Sequence, residues 1–152
     1  MASWVLSLQM NILVINGPNL NLLGTRDTNT YGTVTLKDVE EFISASFPNH
    51  SFTFFQSNIE GEIIDRVQQA MSDGTEGLVA NLGGYTHTSV ALRDALDPVN
   101  FPKVEVHISN IHAREEFREK SITGKVMNGI ITGFGKHSYI LGVQAIEHLS
   151  KK

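Results

Sequence analysis

Ile12-Leu13-Val14-Ile15-Asn16-Gly17-Pro18-Asn19 is the stretch from which the architecture can be read. Four apolar residues stand in a row without polar alternation, which is how a strand covered on both faces reads. Asn16-Gly17-Pro18 then ends it abruptly. The segment beyond, as far as Gly32, is long, polar and punctuated by glycine. Connections longer than about 12–15 residues in a compact domain are usually functional or disordered. This one carries a cation, Arg26, and a phenol, Tyr31, just beyond the end of a buried strand.

Outward from that run, apolar strands alternate with helix-period segments. Thr35 is a good N-cap, and Leu36, Val39, Phe42 and Ile43 recur at helical spacing before Pro48. Phe52 to Phe55 predicts a second strand. Ile59 to Met71 predicts a helix with Ile63, Ile64, Val67 and Met71 on one face, stopped by Asp73-Gly74. Gly77 to Asn81 predicts the third strand, and a helix is expected from about Ser89 to Leu96. Lys103 to Ser109 predicts the fourth strand, with Val104, Val106 and Ile108 inward. Asn128 to Gly133 predicts the fifth, and Ser138 to Leu149 the last helix. Strands separated by helices imply a doubly wound α/β fold, a five-stranded parallel sheet with helices on both faces. A flavodoxin-like strand order is expected.

Such sheets bind ligands beyond the carboxyl ends of their strands. Asn16 and Asn19 lie at the end of the first strand, and Asn81 with Gly83-Gly84-Tyr85-Thr86-His87 at the end of the third. Glu105, His107, Ser109 and Asn110 belong to the fourth. Asn, His, Glu, Ser, Arg and Tyr therefore converge on one edge.

The 152 residues favour one domain, residues 10–152, with a sizeable core. Residues 1–9 are apolar but lack a basic flank and are too short to span a membrane. They are expected to be an extension outside the fold, ahead of a natural start at Met10. The net charge of −4 argues against nucleic acid or an anionic membrane as the main partner. Cysteine is absent, which excludes disulfides and thiolate chemistry and fits a reducing cytoplasm.

The polar loop matches neither of the glycine-rich phosphate-binding patterns, and Pro18 removes a backbone donor such a cradle would use. No nucleophile elbow is present. Glu105 and His107 alternate with Val104, Val106 and Ile108, so both point to one face. They read either as an imidazole oriented by a carboxylate for acid–base work or as a satisfied structural pair. His107 and His112 lack a third convergent ligand, so no metal is expected. Gly83 to Ser89 reads either as an anion-binding helix start or as simple capping. Arg93-Asp94 reads as an exposed charge pair, and Arg114 to Glu119 as a solvated helix face.

Four blocks together carry a resemblance: Asn16 to Arg26; Phe55-Gln56-Ser57-Asn58 with Glu60-Gly61; Thr86 to Asp94; and Glu105 to Arg118. In order and spacing the chain resembles the type II 3-dehydroquinate dehydratases from Met10 to about Leu149. The resemblance implies a cofactor-independent anti elimination of water from 3-dehydroquinate through an enolate, in the shikimate or quinate pathway. Tyr31 would remove the C2 proton and Arg26 would lower its pKa on a shared lid. Asn19 would stabilise the enolate through a held water. His107 would protonate the departing C1 hydroxyl, with Glu105 orienting its ring. Asn81, His87, the Ile108-Ser109 backbone and Arg118 would bind substrate, and Arg114 would be a second cation near Tyr31. Asp94 would reach a neighbouring subunit's site, implying trimers assembled into a homododecamer. No metal or organic cofactor is implied. Bringing a phenol from a pKa near 10 to near 7 takes about 4 kcal/mol, which makes a second cation reasonable.

The chain departs from the family pattern at Asp27-Thr28, at Glu119 to Gly124 and at Tyr85. Asn16 to Leu23 is expected to form a fixed floor and Gly24 to Gly32 a lid, mobile when the site is empty. The fold by itself would also suit a non-catalytic nucleotide- or flavin-binding module, or a domain that only assembles.

Overall fold

The run at Ile12 becomes the central part of β1 (Asn11–Asn16), whose last five residues are all buried. The computed structural model describes residues 8–25, 29 and 32–151. After β1 come α1 (Leu36–Ser46), β2 (Ser51–Gln56), α2 (Glu60–Ala70), β3 (Gly77–Asn81), the single turn α3 (Tyr85–Thr88), α4 (Val90–Leu96), β4 (Lys103–His107), β5 (Gly129–Thr132) and α5 (His137–Ser150). The strands form one sheet in the order β2-β1-β3-β4-β5. All neighbours are parallel, as the flavodoxin-like expectation requires.

The register places the site. Asn16 pairs with Gln56 on one side and Asn81 on the other, so three amide side chains stand in a row at the carboxyl edge. Along the strands, alternate residues serve opposite cores. Ile12, Val14, Val79, Val104 and Val106 pack with Val39 and Ile43 of α1 and Tyr139, Val143 and Ile146 of α5. Leu13, Ile15, Leu78 and Ala80 pack with Ile63 and Val67 of α2 and Leu92 and Leu96 of α4. Burial on both faces removes the polar alternation a half-exposed strand would show. α5 lies close to the sheet because Gly142 has no side chain. A Cβ there would stand 2.9 Å from Val106 Cγ1.

Local chemistry sets the helix ends. Thr35 accepts from the Asp38 amide at 3.1 Å, and the Asp38 carboxylate accepts from the Thr35 amide at 3.0 Å, a reciprocal capping box. Between α3 and α4, Ser89 is extended. Its hydroxyl accepts from the Leu92 amide at 2.9 Å and donates to Glu60 Oε2 at 2.5 Å. The predicted helix from Ser89 thus starts one residue later, at Val90, with Ser89 as its cap.

β4 ends at His107, two residues short of the prediction. The Gly133 and Gly135 amides donate to the carbonyls of His107 and Ile108, drawing the β5–α5 loop over the strand end. At the other end, the Met10 amide donates to His50 Nδ1 at 3.1 Å, so Nε2 carries that ring's proton and faces Glu147 at 2.9 Å. Leu8, which the sequence reading sets outside the fold, packs at the core margin, and its carbonyl accepts from Asn49 Nδ2 at 2.5 Å. Among the described residues no helix is long and apolar enough to cross a membrane.

Candidate active site

A cavity of about 720 Å³, counting its open mouth, lies at the carboxyl edge of the sheet. Pro18, Asn19, Leu20 and Leu23 form one wall after β1, and Asn81, Gly83, Gly84 and His87 come from the end of β3 and the turn beyond it. His107, Ile108, Ser109, Ile111, Arg114 and Arg118 come from β4 and its continuation. The amide, imidazole, hydroxyl and guanidinium groups among these residues suit a small polar molecule.

Two floors support this wall. On the first, Tyr139 of α5 donates to Asn16 Oδ1 at 2.5 Å and accepts from Asn81 Nδ2 at 3.0 Å. Asn81 Oδ1 accepts from the Gly83 amide at 3.3 Å. The Asn81 amide is therefore oriented from both ends at the cavity wall. Burial pushes the Tyr139 phenol far up, so it stays neutral and keeps the donor that orients Asn16. Gly17 permits a close crossing of the chain: its amide donates to the Asn81 carbonyl at 2.7 Å. A Cβ at Gly17 would sit 2.5 Å from the Leu82 carbonyl oxygen.

The second floor is a buried charge. Glu105 has no solvent exposure. Its Oε2 accepts from His107 Nε2 and from the Ser121 hydroxyl, both at 2.8 Å, and its Oε1 accepts from Thr123 at 2.5 Å. Burial pushes its carboxyl up, but the hydrogen bond and charge of His107 and the two hydroxyls outweigh this and hold it below 4.5. The carboxylate thus stays ionised, and His107 presents Nδ1 as its remaining ring nitrogen. As the alternation predicts, Glu105 and His107 share a face, but the segment around Thr123 covers it.

His87 stacks beside His107 with ring centroids 6.3 Å apart and planes at 22°. Its Nδ1 donates to the Lys120 carbonyl at 2.8 Å, which makes Nε2 the acceptor. Burial lowers its pKa below 6.5, aided by the like charges of His107 and Arg118 and opposed by the Lys120 hydrogen bond. His87 is a neutral acceptor at neutral pH.

Arg114 to Glu119 is not a solvated helix face. The segment folds as 3-10 turns, Ile111–Ala113 and Glu116–Arg118, and both arginine side chains are largely covered and line the cavity. Glu115 sits between them, 3.1 Å from Arg118 Nε and 3.8 Å from Arg114 Nε. A short sequence Arg-Glu-Glu-Phe-Arg has no period that distinguishes these folds.

The structure thus brings together Asn19, Asn81, His87, His107, Ile108, Ser109 and Arg118, with Glu105 directly behind His107. Arg26 and Tyr31, and most of the expected lid, lie outside the described residues. Asp94 does not line this chain's own cavity. Its side chain is 66% exposed, 3.6 Å from Arg93 Nε. His112 opens instead onto a separate hollow with Glu119, Lys125 and Ile130. Sequence reasoning passed over Asn16's partner Tyr139 and the hydroxyls of Ser121 and Thr123. Only Tyr139 carried a signal, as a phenol on the apolar face of a helix.

Comparison with known proteins identifies the family. The family model described as dehydroquinase class II matches residues 10–147. A 3-dehydroquinate dehydratase of Fusobacterium nucleatum is 51% identical over 148 aligned positions, covering 93% of this chain and all of its own. One from Thermotoga neapolitana is 51% identical over 145, covering 94% and 98%. The crystal structure of a type II dehydroquinase from Butyrivibrio crossotus superposes with a TM-score of 0.89 at 47% identity, covering 91% of this chain and 98% of that one. Similarity of this extent, over nearly the full length of each protein, shows that the chain belongs to the class II dehydroquinase family.

Proposed function

We propose that this chain dehydrates 3-dehydroquinate to 3-dehydroshikimate by an anti elimination that uses no cofactor. The observation that carries the proposal is the Glu105–His107 pair: a fully buried carboxylate held ionised against an imidazole that faces a cavity lined by amides and cations.

Tyr31, as phenolate, takes the C2 proton. The C–H electron pair forms the C2=C3 bond, and the charge moves to the carbonyl oxygen. Asn19 stabilises that enolate through a held water. The enolate then collapses, the new double bond forms between C1 and C2, and the C1–O bond breaks. His107 supplies the proton that lets the hydroxyl leave as water. Glu105 orients the ring through Nε2 and stabilises the imidazolium before transfer, so delivery falls to Nδ1. Asn81 donates to a substrate hydroxyl, His87 Nε2 accepts from another, and the Ile108-Ser109 backbone adds further contacts. Arg118 meets the carboxylate, and Arg26 and Arg114 lower the Tyr31 pKa. Arg118 and Arg114 share Glu115, which holds both guanidinium groups at the cavity wall.

The assembly belongs to the same proposal: trimers in which Asp94 reaches a neighbour's site, combined into a dodecamer acting in the cytoplasm. An exposed Asp94 outside its own cavity supports this reading.

The test is absorbance. The product's conjugated double bond absorbs in the ultraviolet where the substrate does not. Purified protein should generate that signal from dehydroquinate without added metal or cofactor. Tyr31→Phe and His107→Ala should each lower kcat by about 10²–10⁴-fold with little change in substrate affinity. Near-normal turnover by Tyr31→Phe would remove it as the base.

A further inference from the structure

The Phe55-Gln56-Ser57-Asn58 block takes part in none of the catalytic steps, yet it ends beside the site, against Asn19. The Asn19 backbone lies at φ 70°, ψ −7°, and it is the one non-glycine residue at positive φ among the described residues. L-residues enter this region at a cost, and asparagine is among the few that tolerate it. Asn19 also precedes a 3-10 turn, Leu20–Leu22, where an asparagine side chain ordinarily caps. It makes no such hydrogen bond and lines the cavity instead. The left-handed backbone turns the side chain from capping toward the cavity.

Asn58 holds that backbone. The Asn19 amide donates to Asn58 Oδ1 at 2.9 Å. Gln56 Nε2 donates to the same oxygen at 3.3 Å and to the Gly17 carbonyl at 3.1 Å. A flipped Asn58 amide would set its NH₂ against two donors, so its orientation is determined. The Tyr85 hydroxyl donates to the Asn58 carbonyl at 2.7 Å. Neither Asn58, Gln56 nor Tyr85 lines the cavity.

We infer that Asn58, braced by Gln56 and Tyr85, is a positioning residue that keeps Asn19 in its left-handed conformation with its amide toward the developing enolate. The inference rests on the enolate role proposed for Asn19. An interaction that acts only in the transition state moves kcat rather than KM.

Dehydroquinate turnover is measured for Asn58→Ala, Asn58→Asp and Tyr85→Phe, each alone and with Asn19→Gly. Asn58→Ala should lower kcat by about 10–100-fold, below the loss expected from removing an oxyanion donor outright, with KM within about threefold. Asn58→Asp keeps the acceptor and should restore most of kcat. Tyr85→Phe should lower kcat by about 3–10-fold. With Asn19 already glycine, adding Asn58→Ala should cost less than about twofold, because residues that act through one another are not additive. Undiminished kcat in Asn58→Ala, or the same fold loss in both backgrounds, overturns the inference. Tyr85→Phe in the two backgrounds decides in the same way if Asn58→Ala does not fold. A wild-type chain that produces no absorbance overturns the dehydratase reading itself, whereas an active wild type with additive losses overturns this inference alone.

Discussion

His87 and Glu105 show how single residues tie the site to pH. His87 is held below 6.5 by burial and neighbouring positive charge. The unfolded chain therefore takes up the proton first as pH falls, and this contribution to stability, present above 6.5, is lost as pH drops through the lowered folded value. Glu105 behaves with the same sign further down. Its folded value lies below 4.5, so its contribution is present above 4.5 and disappears on acidification below that. Unfolding free energy measured in urea across this range should decline in two stages. His87→Gln should flatten the upper stage, between 6.5 and the lowered value, and leave the lower one. An unchanged slope in the variant would assign the upper stage to another group.

At the scale of elements, α1 is the helix whose start is most completely specified, by reciprocal bonds between Thr35 and Asp38. Thr35→Ala removes the side-chain acceptor and leaves the Asp38 amide unpaired. The expected loss is about 1 kcal/mol, which in a domain of this size lowers the thermal midpoint by about 2–4 °C. A scan of the variant's unfolding checks this. The same helix shows what a sequence makes legible. Thr35 and the apolar spacing after it mark the element without reference to anything distant. Glu105 and His107 are legible for a similar reason, because the period of a strand alone puts them on one face. Asn16 and Asn81 are legible through the rule that ligands gather at strand ends. The partners of these residues are harder. Thr123 and Ser121 reach Glu105 from an irregular segment with no period. Tyr139 reads as one more core residue of an amphipathic helix, and nothing local says that its hydroxyl meets two asparagines. Asn58 belongs to a recognisable block, but its task depends on the backbone angle of Asn19, which residue type alone does not specify.

For the whole molecule, the decisive question is whether one chain contains one complete site. Asp94 stands outside its own cavity while the other site residues among those described line it or back it. If Asp94 serves a neighbour, Asp94→Asn and His107→Ala damage different chains' contributions to a shared site. Co-expressing the two variants should recover part of the wild-type rate, since some mixed sites then hold both wild-type groups. Separately purified variants should each remain nearly inactive. Mixed assemblies no more active than the separate variants would place Asp94 with its own chain. Light scattering on the same preparations checks that the assembly is a multiple of three.

The hydrogen bond from Tyr139 to Asn16 joins residues 123 positions apart. The first strand emerges early in synthesis, but its terminal amide has no fixed direction until the last helix has been made and has docked. Asn81 shares this dependence in part: the Gly83 amide holds its Oδ1, but its Nδ2 waits for the same phenol. A growing chain with four strands already paired therefore has no finished recognition surface. Competence arrives late and all at once, when the carboxyl-terminal helix closes over the sheet. A chain truncated before Tyr139 would lose the member that aligns both amides, even where its sheet still paired.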